Sequence, residues 1–172
     1  NLRHGYGVQI PQMSGFVCAF TGHREIPVGD YEKVKAFTKK TVDLLISRGV
    51  TEFISGGAVG YDMLAAEIVL EAKKYAPVKL VIAVPCKGQE RYYSFSDKAR
   101  YRKILDNADD VVILSEHYYN GCMLVRNRYM VNKADFVLSY CNKTEGGSYY
   151  TRCFAKENKK HMKVNLSVPK FD

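Results

Sequence analysis

Three apolar runs constrain this chain more than any other feature. They are Phe16-Val17-Cys18-Ala19-Phe20, Val78-Lys79-Leu80-Val81-Ile82-Ala83-Val84 and Phe136-Val137-Leu138-Ser139-Tyr140. A strand wetted on one face alternates apolar and polar side chains, whereas a strand covered on both faces reads as a nearly continuous apolar run. The segments between the runs have helical spacing instead. Val34, Phe37, Thr38, Thr41 and Leu45 recur on one face, followed by Gly49 as a helix stop, and Asp30 suits the N-cap. Leu64, Ala65, Ile68, Val69 and Ala72 form a second stripe, with Pro77 beyond it. Strands alternating with helices imply parallel βαβ units. The predicted architecture is a single three-layer α/β Rossmann-like domain with a mainly parallel sheet. Strands are predicted near 16–20, 52–55, 78–84, 110–114, 136–140 and 162–166, and helices closing near Arg48, Tyr75, Asn107, Lys133 and Lys159. The domain is expected over 16–166, after a leader or irregular arm at 1–15 and before a C-terminal tail at 167–172. The first residue is not methionine, which leaves processing, trimming or a missing upstream segment open.

Composition narrows the function classes. With 172 residues, 47% hydrophobic and 26% charged, the chain can bury a core of its own. No apolar run approaches a membrane span and no secretion signal is recognisable, so a cytoplasmic protein without a membrane partner is expected. Five widely spaced cysteines, none in a CxxC pair, suggest reduced thiols rather than a disulfide framework or a zinc site. The net charge of +8 raises nucleic acid as a partner. However, Lys39-Lys40, Lys73-Lys74 and Lys159-Lys160 are scattered where helices should face solvent, which favours a solvated surface. No cofactor or metal is called for, and no Ser-His-Asp or Cys-His spacing stands out.

In doubly wound sheets ligands sit outside the carboxyl ends of the strands. The loops expected there suit a phosphorylated ligand. Thr21-Gly22-His23-Arg24 brings an imidazole and a guanidinium, and arginine is a natural bidentate phosphate partner. Ser55-Gly56-Gly57, with Gly60, and Gly146-Gly147-Ser148 each open a helix, where unpaired amides can hold an anion. Each motif also has a purely structural reading: a local hydrogen bond for His23, a capped carbonyl for Arg24, plain turns for the glycines. Asp62 would repel phosphate and is better placed on ribose hydroxyls, or it simply favours the helix N-terminus. Glu67 lies about 140° further around the same helix, so the two carboxylates do not form an acid/base pair on one face. Arg126 and Arg128 diverge by about 200°, so one of them faces the ligand, and Arg126 is the choice. Arg91, Tyr92 and Tyr93 either stack on a base or pack.

Taken in order, Thr21-Gly22-His23-Arg24, Ser55 to Asp62 with Ala65-Ala66-Glu67, Gly121-Cys122-Met123 with Arg126 to Val131, and Gly146-Gly147-Ser148 resemble the YpsA-like family. That family belongs to the SLOG superfamily, named for Smf/DprA and LOG proteins. The resemblance spans about residues 16 to 165. It implies a Rossmann-like pocket for a nucleotide or ADP-ribose-like small molecule, built from Gly22, His23, Arg24, Ser55, Gly56, Gly57, Gly60, Asp62, Arg126, Gly146, Gly147 and Ser148, and it makes a homodimer plausible. Two relatives supply alternatives. The segment from Ser55 to Ala66 is similar to the glycine-aspartate motif of DprA, which binds single-stranded DNA, but Glu67 stands where DprA has histidine. LOG enzymes cleave a base from a nucleoside monophosphate, and that activity would make Glu67 or Glu145 a catalytic carboxylate. Here Tyr149-Tyr150-Thr151-Arg152 supply none of the glutamates that follow the LOG glycines.

Overall fold

The computed structural model describes residues 15–158 and 164–171. The proposed arm, apart from Gly15, lies outside the described residues, as do Lys159-Lys160 and the start of the expected last strand. Six strands alternate with five helices: β1 (Phe16–Gly22), α1 (Tyr31–Ser47), β2 (Val50–Ser55), α2 (Tyr61–Ala72), β3 (Lys79–Val84), α3 (Phe95–Asn107), β4 (Asp110–Ile113), α4 (Cys122–Lys133), β5 (Phe136–Tyr140), α5 (Gly147–Glu157) and β6 (Val164–Ser167). Every pairing is parallel, and the strand order is β4-β3-β2-β1-β5-β6. The Rossmann-like architecture expected from the apolar runs is the one observed.

Alternation along each strand sends neighbouring side chains into two separate cores. Cys18 and Phe20 of β1, with Leu80, Ile82 and Val84 of β3, pack under α1, α2 and α3. Ala19, Val81 and Ala83 instead join Met130, Val131 and Ala155 under α4 and α5. Covering on both faces is why these strands carry so few polar residues. α2 is the most enclosed helix, with nine of its twelve residues buried. It ends at Ala72 rather than near Tyr75, and a turn then leads to Pro77. The expected C-terminal tail is packed where it is described: Val168 is buried and its amide donates to the Ser139 carbonyl at 2.8 Å.

Aromatic rings run from the first core to the carboxyl edge of the sheet. Phe20 stacks on Phe53 with centroids 5.7 Å apart, Tyr61 meets Phe20 edge-on, and Tyr140 lies 5.6 Å from Tyr61. The buried Tyr61 hydroxyl is satisfied by Thr38 at 3.0 Å. Thr38 therefore sits on the inner face of α1 for a polar reason.

Candidate ligand-binding site

The chain leaves β1 toward β2, β3 and β4 on one side, then returns to place β5 on the other. The loops after β1 and β5 consequently diverge at the topological switch point, where such sheets open a crevice. His23 ties the two loops together. Its Nε2 accepts the Asn142 amide at 2.7 Å, so the ring proton resides on Nδ1, facing the Ser148 hydroxyl at 3.2 Å. Partial burial, with Lys143 close by, holds the imidazole below its ordinary 6.5 and keeps it neutral for this role.

The cleft beside this tie has a volume of about 860 Å³. Arg24, Arg100 and Lys143 give it three cations, Tyr31 and Tyr140 give it two rings, and Ile26, Val28 and Val59 give it an apolar wall. Glu25 is the one acidic residue among those lining it. Among the described residues neither Arg24 nor Lys143 has an ion-pair partner.

The glycine turn between β2 and α2 reaches the cleft at Val59 and Gly60, and it also has a structural purpose. Several of its polar groups are engaged within the protein. The Ser55 hydroxyl accepts the Gly57 amide at 3.2 Å and donates to the Asp62 carbonyl at 2.8 Å. The Gly56 carbonyl accepts from Arg126 Nη1 at 2.7 Å and from Gln89 Nε2 at 3.0 Å, and the Gly57 carbonyl accepts from the Tyr93 hydroxyl at 3.2 Å. The space that glycine leaves is also taken by this chain's own atoms. A Cβ on Gly22 would meet the Tyr61 ring at 2.5 Å, and one on Gly56 would meet the Arg126 guanidinium at 2.6 Å. A Cβ on Gly60 would lie 2.3 Å from the Arg24 carbonyl oxygen. These glycines allow loops to close on one another. By contrast, a Cβ on Gly146 or Gly147 would meet nothing within 4 Å, and α5 starts there without a side-chain cap.

Arg126 and Asp62 lie under the turn, and neither lines the cleft. Arg126 is 3% exposed and braces the Gly56 and Ala83 carbonyls. Arg128 points outward, with its guanidinium over the rings of Tyr150 and Phe154. The divergence read from the helix geometry is therefore present, but the inward arginine supports the fold. Asp62 is 6% exposed and its Oδ1 has no hydrogen-bond partner. Burial raises its pKa to about 6, against the opposing pull of Arg126, the Ala58 amide and Arg24. An acid with a raised folded pKa binds its proton more tightly when folded, so its contribution to stability is greatest below the ordinary 3.8 and is lost as pH rises through about 6. Asp62→Asn should consequently match the wild type near pH 4 and exceed it by up to about 3 kcal/mol above pH 7, as read from urea midpoints across that range.

The remaining expected residues are dispersed. Glu67 does not line the cleft and pairs with Arg100, whose Nε lies 3.3 Å from Glu67 Oε2. Glu145 is exposed in the loop before α5. Tyr93 braces the glycine turn and meets Tyr101 edge-on, whereas Tyr92 is 91% exposed. Tyr31, Arg100, Tyr140, Asn142 and Lys143 line the cleft without having been singled out in the sequence. For Asn142 and Lys143 a signal existed, since they directly follow β5 at the switch point. Arg100 sits mid-helix in α3 with no local signal.

This fold, with its cleft between the first and fifth strands, defines a Rossmann-like protein of parallel α/β type. The YpsA family model, described as the YspA SLOG family, matches residues 18–172, and the chain belongs to that family. It is 30% identical over 141 residues to the UPF0398 protein BH1768 of Halalkalibacterium halodurans, covering 78% of this chain and 74% of that one. It is 26% identical over 128 residues to the SPbeta prophage-derived protein YoqJ of Bacillus subtilis, covering 67% and 75%. Among solved structures, DNA processing protein A of Helicobacter pylori, described with a single-stranded DNA binding mode, superposes with a TM-score of 0.65 at 24% identity, covering 92% of this chain and 67% of that one. DNA processing protein A of Streptococcus pneumoniae gives 0.65 at 19%, covering 91% and 51%. These structural likenesses concern the fold alone. Among the described residues no helix is long and apolar enough to cross a membrane, and no group of three or more His, Cys, Asp or Glu side chains is arranged to hold a metal ion.

Proposed function

We propose that the protein binds a nucleotide-derived ligand in the cleft at the switch point. The observation that carries this reading is the convergence of Arg24, Arg100 and Lys143 on one cavity with the rings of Tyr31 and Tyr140. Phosphate would lie among the cations, within reach of the uncapped start of α5 across His23, and the base would pack against a tyrosine. Asp62 acts at one remove, as a buried negative charge behind the Arg24 loop. Because His23 joins the two loops that flank the cleft, a ligand that prefers the tied arrangement shifts the population toward it. Sensing needs nothing more. The hydrolase alternative has less support, since the Glu67 carboxylate is engaged by Arg100 and does not itself line the cleft.

Calorimetric titration of the full chain with nucleosides and their mono- and diphosphates tests the proposal. Arg24→Ala should weaken nucleotide binding about tenfold or more, the size expected for one charge-assisted contact, and leave any nucleoside binding unchanged. Nucleotide affinity indifferent to Arg24→Ala would remove the proposal. A second reading, single-stranded DNA, is favoured by the likeness to the Helicobacter pylori protein and by the bare rings of Tyr92 and Phe95, 91% and 92% exposed. Affinity for a single strand that falls steeply with salt and survives Arg24→Ala would select it.

A further inference from the structure

α2 lies between α1 and α3 and is packed against both. Above it runs a furrow of about 330 Å³, a volume in the range of small-molecule sites. Its floor is apolar, formed by Leu64, Ile68 and Ile104, with Lys35, Glu67, Glu71 and Lys103 around it. Glu71 is paired at the surface with Lys74 at 3.0 Å. The furrow is not separate from the cleft. Tyr31 and Arg100 line both hollows and form the partition between them.

That partition can yield. Arg100 is held by Glu67 and, at 3.5 Å, by Asp97, but the side chains of Arg100 and Glu67 remain 35% and 39% exposed. Ion pairs this accessible to water contribute about 1 kcal/mol or less. A phosphate bridge arriving in the cleft offers the Arg100 guanidinium a second anionic partner that it can also grip through two donors. Glu67 is then the tether that keeps the guanidinium at the junction of the two hollows.

We propose that the furrow is the second lobe of the binding site. It takes the far half of a ligand built from two nucleosides joined through phosphate, with the linker at Arg100. The far base lies on the floor of Leu64, Ile68 and Ile104, and its sugar hydroxyls donate to Glu71. This assignment rests on the nucleotide reading of the cleft and adds the size and shape of the ligand.

Two pairs of probes with equal phosphate count test it by calorimetry on the full chain: ADP against diadenosine diphosphate, and GDP against diguanosine diphosphate. The dinucleoside of at least one pair should bind about tenfold more tightly than its partner. Leu70→Trp, which fills the furrow from α2, should abolish that advantage and leave the mononucleotide within about twofold. Glu71→Ala should reduce the advantage about threefold, and it answers the question if the tryptophan variant fails to fold. Equal affinity within both pairs, or equal losses for both members of a pair in the variants, overturns the second lobe while leaving the cleft reading intact. Binding of neither member of either pair overturns both.

Discussion

Arg126→Ala should destabilise the protein by about 3–5 kcal/mol, among the largest effects of any single side-chain removal here. Three consequences of the substitution act in the same direction. The Ala83 and Gly56 carbonyls each lose a buried donor, at 3.2 and 2.7 Å. A long side chain leaves a cavity beneath the glycine turn, which Gln89 and Tyr93 then support. The buried Asp62 also loses the cation that favours its charged form. Urea denaturation at pH 7 measures the sum. The third consequence is separable, because Asp62→Asn removes the charge that Arg126 offsets. The double variant Asp62→Asn/Arg126→Ala should therefore lose less than the two single effects combined. Strict additivity would show that the carboxylate and the guanidinium do not couple across the turn.

Gly60→Ala should be comparably damaging, by about 3 kcal/mol or more, for a reason that involves no polar group at all. Gly60 has φ +93°, where an L side chain is strained. Its added Cβ would also strike backbone, the carbonyl oxygens of Arg24 and His23 at 2.3 and 2.5 Å, which cannot rotate away as a side-chain tip would. The loop carrying both cleft residues would have to lift, so nucleotide affinity should fall with stability. Gly29→Ala is the matched control. A Cβ there meets nothing within 4 Å and no positive φ is involved, so its effect on the urea midpoint should stay within about 0.5 kcal/mol. Equal effects at the two positions would mean that the contact between the loops is not what requires glycine.

The fold was legible because each apolar run is bounded by residues that stop it for a physical reason, such as Gly49 before β2 and Pro85 after β3. The β1 run continues through Thr21 and Gly22, since these still pair with Ser139 and Tyr140 of β5, which no local signal announces. The site was legible in part. His23 and Arg24 follow the first strand of a parallel sheet, so their place at its carboxyl edge follows from topology alone. What a glycine makes room for does not follow. The same absent Cβ serves a ligand or a neighbouring loop, and at Gly22, Gly56 and Gly60 the neighbour is protein. Arg100 was illegible because it reaches the cleft only through the packing of α3 on α2. The engagement of Glu67 was illegible for the matching reason: its partner lies 33 residues away on another helix.

The central position of β1 has a consequence for how the chain is made. Of its two neighbours, β2 is the next strand in the sequence but β5 comes only after β3 and β4, and the Val17 amide waits for the carboxylate of Asp135, 118 residues later. Synthesis from the N-terminus thus builds β1 to β4 first, with the run Cys18-Ala19-Phe20 along an open edge of the nascent sheet. The ribosome completes the middle of this molecule late. Until Phe136 to Tyr140 emerge, the strand that ends as the best covered is the one most prone to pair with another chain.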